Sequence, residues 1–108
     1  MAKRSYKGFF ITFEGGEGAG KSTQMRHLVG WLRKQRVPHV LTLEPGGTRI
    51  GRGIRELLLN PSNKHLSQRA ELLLYEADRA QHVDQIIWPA LKAGKVVVSD
   101  RYCDSSTV

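Results

Sequence analysis

The stretch Phe9-Phe10-Ile11-Thr12-Phe13-Glu14-Gly15-Gly16-Glu17-Gly18-Ala19-Gly20-Lys21-Ser22-Thr23 decides the fold. Its first six residues are rich in aromatic and β-branched types and read as a buried strand. Gly15 to Gly20 reads as a loop, and from Lys21 the period changes. Met25, Leu28, Val29 and Leu32 recur at the i, i+3, i+4, i+7 spacing of one helix face, with Arg26, Arg33 and Lys34 off it. Between strand and helix, residues 15–22 fit the pattern G-x-x-x-x-G-K-[ST]. Glycines let the backbone curl so that successive N–H groups point inward, and the helix start adds the positive end of its dipole. Such a loop seats phosphates: Lys21 reaches the β- and γ-phosphates, the Ser22 hydroxyl suits Mg²⁺, and Thr23 faces the α-phosphate side. A bare glycine turn joining strand to helix is the plain alternative. The strand before and the helix after favour the phosphate seat.

Outward from this loop the chain keeps alternating. Proline at Val37-Pro38 is expected to end the first helix. His39 to Leu43 reads as a second strand and Glu44-Pro45-Gly46-Gly47 as a turn. Arg52 to Leu59 reads as helix, stopped at Asn60-Pro61. Ser67 is placed to cap a long helix running through Leu72, Leu73 and Ala77 toward Gln81. Val83 to Lys92 is helical despite Pro89 and closes on Gly94, a C′ glycine. Val96-Val97-Val98-Ser99 is a third strand, running into Asp100-Arg101. Alternating strands and helices imply an α/β fold with a parallel sheet of about three strands flanked by helices. Ligands in such sheets bind beyond the carboxyl ends of the strands. Three polar groups lie there: Gly15 to Ser22, Glu44 to Thr48 and Asp100-Arg101. An aspartate at that place can hold Mg²⁺, and an arginine beside it can neutralise a transferring phosphoryl group. A surface ion pair is the alternative for Asp100-Arg101.

Composition sets bounds on this reading. At 108 residues and 40% hydrophobic, the chain suffices for one small packed domain. No apolar run approaches the ~18 residues of a membrane span. Cys103 is the one cysteine, so no internal disulfide forms, which fits a reducing cytosol. A net charge of +7 is compatible with a nucleic-acid surface, a solvated basic face or a polyanionic small molecule, and charge alone does not choose. There is no aromatic interleaving of the kind that stacks single-stranded bases. His27, His39, His65 and His82 lack metal-ligand spacing and are assigned no chemistry.

The runs FEGGEGAGKSTQ, EPGGT, LLYEADRAQHV and DRYCDSS, in that order, resemble bacterial thymidylate kinases. The resemblance covers nearly the whole chain and corresponds to the N-terminal half of such proteins. It implies a P-loop NTPase-type sheet, with residues 1–108 forming the N-terminal part of a single nucleoside monophosphate kinase domain. It implies transfer of the γ-phosphoryl group of ATP to dTMP, giving dTDP. ATP and Mg²⁺ are then the cofactors, dTMP rather than nucleic acid is the partner, the protein is a cytoplasmic homodimer, and no membrane is involved. Gly15, Gly16, Glu17, Gly18, Ala19, Gly20, Lys21, Ser22 and Thr23 match the ATP seat, and Ser22 and Asp100 the metal contacts. Lys21, Asp100 and Arg101 match the catalytic positions. Glu17 matches the loop acid near the 3′-hydroxyl of the acceptor sugar. Arg55 and Arg101 match arginines that grip the acceptor phosphate, and planar forks suit that grip. Tyr75 matches an aromatic position that stacks on thymine, Arg79 an arginine at the base edge, and Ser106 a position that helps read the base. Tyr75 and Arg79, at i and i+4, share one helix face. Each has a plain alternative: Tyr75 as core, Arg79 paired with Glu76 or Asp78, and Arg55 in solvent beside Glu56.

The chain departs from the family in two ways. Leu43 stands where the family often has an arginine before the EPGG turn. No base occurs among residues 16–19, a feature that the family matches with arginines from a lid segment lying beyond Val108. These residues alone are therefore expected to be a poorly active fragment, with the first strand short of one neighbour. A kinase for another nucleoside or nucleotide, a non-catalytic nucleotide-binding module, and nucleic-acid binding remain as alternatives.

Overall fold

The computed structural model describes residues 8–15 and 20–101. In chain order these form β1 (Phe10–Glu14), α1 (Lys21–Lys34), β2 (His39–Glu44), α2 (Arg49–Leu59), a 3₁₀ turn (Pro61–Asn63), α3 (Gln68–His82), a π-helical turn (Val83–Ile87), α4 (Trp88–Lys92) and β3 (Val96–Arg101). The strands form one parallel sheet in the order β1-β3-β2. The continuous apolar run Val96-Val97-Val98 takes the central place because only there are both faces of a strand covered. Val96 and Val98 pack toward α1 with Leu32, supported by Ile11, Phe13, Met25, Leu28 and Val37. Val97 faces the other way onto Ile87 and Ala90, with Val40 and Leu91 beside them. The expected α/β sheet with flanking helices is thus the observed one, and β1 has β3 as its single neighbour among the described residues.

Several boundaries have causes that propensity did not reveal. Helix α1 stops at Lys34, before Pro38 could act. Arg36 adopts a left-handed φ of 58°. Its N–H donates to the Arg33 carbonyl (3.1 Å) and that of Val37 to the Leu32 carbonyl (2.9 Å), a paired closure that satisfies the last carbonyls. Leu32 and Val37 meet in the core beside it. Helix α4 closes the same way on Gly94 (φ 80°), with Gly94 N–H to Leu91 O (2.9 Å) and Lys95 N–H to Ala90 O (3.0 Å). Helix α2 begins at Arg49 rather than Arg52, because the Thr48 hydroxyl accepts the Gly51 N–H at 2.8 Å and caps it. Ser67 caps α3 as expected, accepting from Ala70 N–H at 3.1 Å. The π turn precedes Pro89, which lacks an N–H and whose ring would press on the Gln85 carbonyl in a regular helix. There the Trp88 N–H reaches the Val83 carbonyl, and the wider turn relieves the clash.

The two closures differ in one respect, since Arg36 holds a conformation that favours glycine. Arg36→Gly is expected to stabilise the protein by about 1 kcal/mol, and Gly94→Ala to destabilise it by a similar ~1 kcal/mol. Urea unfolding of the two variants checks the signs.

Candidate active site at the strand ends

The parallel register brings Glu14, Arg101 and Glu44 into one row at the carboxyl ends of β1, β3 and β2. Residues in one row share a face of the sheet, so an arginine lies between two glutamates. Its guanidinium donates from Nη1 to Glu14 Oε2 at 3.1 Å, and Nη2 stands 4.0 Å from Glu44 Oε1. One residue earlier, Asp100 points to the opposite face, toward α1. There Lys21 Nζ meets Asp100 Oδ1 at 2.6 Å and donates to the Gly15 carbonyl at 2.7 Å. Lys21 is buried although it opens a helix. The first turn of α1 has no acidic residue and no side-chain cap, so the positive end of its dipole is not offset by the helix's own side chains. Ser22 and Thr23 are exposed in that turn. The three strand ends therefore converge as the sequence implied. Residues 16–19 of the loop, including Glu17, and Ser106 lie outside the described residues.

The turn after β2 is built by α3. Glu44 is 5% exposed and accepts from Arg79 Nε at 2.8 Å and from His82 Nδ1 at 3.3 Å. His82 is fully buried, and its Nε2 lies 2.8 Å from Thr42 Oγ1. Asp78, also fully buried, accepts the Gly46 N–H on Oδ1 at 3.0 Å. Burial pushes the Glu44 carboxyl up, but hydrogen bonds from His82 and Arg79 and the charges of Arg79 and Arg101 outweigh it and bring it down to about 2. Asp78 moves up: burial and the neighbouring Glu44 charge exceed the pull of the Gly46 N–H.

This clasp explains why Gly47 and Gly51 carry no side chain. A Cβ on Gly47 would stand 2.6 Å from the Leu43 carbonyl and 2.8 Å from the His82 ring. A Cβ on Gly51, in the first turn of α2, would overlap Asp78 Oδ1. The bond between Glu44 and Pro45 is cis. Arg55 lies across the turn, donating from Nη1 to the Pro45 carbonyl at 3.0 Å.

The structure sorts the residues singled out from sequence. Lys21 and Asp100 meet on the α1 face of the strand ends, Arg101 stands on the opposite face between Glu14 and Glu44, and Arg55 and Arg79 reach the Glu44 turn from two helices. Arg79 pairs with Glu44 across the fold rather than with Glu76 or Asp78 on its own helix. Arg55 bonds to the turn rather than standing in solvent beside Glu56. Tyr75 is half-buried and lines a surface groove with Gln68, Glu71 and Leu72, one turn before Arg79 on the same stripe of α3. Leu43 is 39% exposed beside Asp100 in the register, where no arginine stands. His82, given no chemistry from sequence, is the buried partner of Glu44. Its i+4 relation to Asp78 was the available signal, since both side chains then face one turn.

The chain matches the thymidylate kinase family model over residues 13–108. It is 57% identical over 99 residues to the thymidylate kinase of Cutibacterium acnes, covering 92% of this chain and 48% of that one. It is 54% identical over 100 residues to the thymidylate kinase of Carboxydothermus hydrogenoformans, covering 93% and 49%. The crystal structure of a thymidylate kinase from Ehrlichia chaffeensis superposes with a TM-score of 0.76 at 40% identity, over 88% of this chain and 53% of that one. The chain spans about half the length of the curated relatives it matches.

The glycines of the clasp give a stability test. Gly47→Ala and Gly51→Ala are each expected to cost about 2 kcal/mol or more through overpacking. Gly53→Ala, where nothing lies within 4 Å of the added methyl, is expected to stabilise α2 by about 1 kcal/mol. Thermal melts of the three variants check the contrast.

Proposed function

Since the chain belongs to the thymidylate kinase family, we propose that it transfers the γ-phosphoryl group of ATP to dTMP, giving dTDP. The observation that supports this reading is the pairing of Lys21 with Asp100 where β1 and β3 end, with an uncapped helix start beside them and Arg101 on the opposite face of the same strand end. In-line phosphoryl transfer asks little covalent chemistry of a protein, so positioning and charge neutralisation carry the rate. Lys21 and the α1 N-terminus bind the ATP phosphates together with residues 15–20, and Thr23 faces the α-phosphate. Arg101 and Arg55 grip the acceptor phosphate, Tyr75 stacks on the base, and Arg79 faces its edge. Glu17 and Ser106 keep the acceptor-sugar and base roles that the resemblance implies.

Mg²⁺ belongs to this reading. Asp100, with its side chain 39% exposed, and the exposed Ser22 hydroxyl offer hard oxygen donors at one mouth, and Mg²⁺ is commonly held by one or two such ligands plus phosphates and water. When bound there it would neutralise phosphate charge. Exposed Ile50, Leu57, Leu72 and Leu73 on the packed pair α2 and α3 support the homodimer. Among the described residues no helix is long and apolar enough to cross a membrane, which is compatible with a cytoplasmic enzyme.

The test is a coupled assay on the full-length protein with dTMP, dUMP and thymidine as acceptors. We expect turnover with dTMP, little with thymidine, and a loss of about 100-fold or more in kcat for Lys21→Ala. Turnover of thymidine equal to that of dTMP, or an unchanged Lys21→Ala, would contradict the reading.

A further inference from the structure

Among the described residues, one buried polar chain links Arg79 to three residues that have no part in the reaction as described above. It runs Thr42, His82, Glu44, Arg79. Thr42 Oγ1 lies 2.8 Å from His82 Nε2, His82 Nδ1 lies 3.3 Å from Glu44 Oε1, and Glu44 Oε2 accepts from Arg79 Nε at 2.8 Å. Thr42 is 8% exposed, His82 0% and Glu44 5%, whereas the Arg79 side chain is 46% exposed. The chain therefore starts in the core and ends at the surface, on the stripe of α3 that carries Tyr75.

We propose that His82 is a positioning residue for the acceptor nucleotide: it fixes the Glu44 carboxylate, which in turn holds Arg79 by Nε alone. The chemistry sets the direction of each link. An ionised carboxylate only accepts, so Nδ1 of His82 carries the proton, and Nε2 then accepts the Thr42 hydroxyl. Thr42 thereby sets the ring plane, and the ring sets the Glu44 rotamer. Gly47 admits no Cβ against that ring, so the backbone closes the other side of it. Glu44 spends one oxygen on His82 and the other on Arg79 Nε. The two terminal nitrogens of Arg79 meet no partner among the described residues, and they form the edge of the guanidinium left to recognise a planar acceptor such as a base carbonyl. A guanidinium held at one corner keeps that edge oriented before the ligand arrives, which lowers the ordering cost of binding. The inference rests on Arg79 facing the acceptor.

The experiment measures dTMP and ATP Michaelis constants, with kcat, in the full-length kinase. The variants are His82→Leu, His82→Asn, Thr42→Val and Arg79→Ala. His82→Leu removes both ring nitrogens, and His82→Asn can place an amide nitrogen where Nδ1 stood. We expect His82→Leu to raise the dTMP constant about tenfold with the ATP constant unchanged, and Thr42→Val to raise it by about threefold. His82→Asn should restore most of the loss. Where His82→Leu does not fold, Thr42→Val decides. Equal rises in both constants, or an unchanged dTMP constant in a folded variant, overturn the proposal. Impairment in Arg79→Ala with silence in the His82 and Thr42 variants overturns the relay alone. A silent Arg79→Ala overturns the acceptor role of Arg79 and the relay with it.

Discussion

A single negative charge at the end of β2 organises one side of this molecule. Glu44 is nearly out of water, a position in which a lone carboxylate would protonate instead of ionising. It stays ionised because α3 delivers Arg79 and His82 to its two oxygens and β3 places Arg101 nearby. The cost of desolvation is thus met by partners from separate elements, and losing any of them would leave a buried charge short of compensation. Helix α3 and the β2 turn are consequently held as one unit, with the Asp78 bond to Gly46 N–H fixing the next step of the backbone.

The same constraint arranges the candidate site. The two faces of the sheet divide the work: Lys21 and Asp100 lie on the α1 side, while Arg101, Glu14 and Glu44 form the row on the other. Under the proposed function, groups for a donor phosphate and groups for an acceptor would approach one edge from opposite faces, with the adjacent β3 residues Asp100 and Arg101 each serving one of them. Motifs far apart in sequence become one object. The EPGGT segment supplies a carboxylate, a turn without side chains and a helix cap, and the DRAQH segment supplies the groups that need that carboxylate and that empty space.

Much of this was legible before any coordinates. The first strand and the helix from Lys21 follow from local pattern, and so do the valine strand, the Ser67 cap and the Gly94 closure, but the first strand has no buried residue, with Phe9 and Phe10 exposed, where a buried strand was expected. These signals are local, so sequence carries them directly. What escaped was long-range or against propensity. Arg36 in a left-handed conformation ends α1 where glycine is the usual signal, and Thr48 starts α2 three residues early. The partner of Arg79 lies 35 residues away, so the only ion-pair partners a local reading could name were the nearby acids Glu76 and Asp78. His82 looked inert because metal-ligand spacing was the criterion applied to it. Its role depends on Thr42 and Glu44, which only the tertiary fold brings to the ring.

Linkage turns the Glu44 charge into something measurable. Its folded value lies below its ordinary value of 4.5, so its contribution is fully present above that pH and is lost as pH falls toward about 2. The gap corresponds to about 3 kcal/mol. Asp78 acts in the opposite sense, since its raised carboxyl favours the fold at low pH and opposes it once ionised. The most direct measurement is the NMR titration of the Glu44 side-chain carboxyl carbon in the folded protein. A midpoint near 2 is expected if Arg79, His82 and Arg101 hold the charge. A midpoint at the ordinary value of 4.5 would contradict a buried, clasped carboxylate at the end of β2.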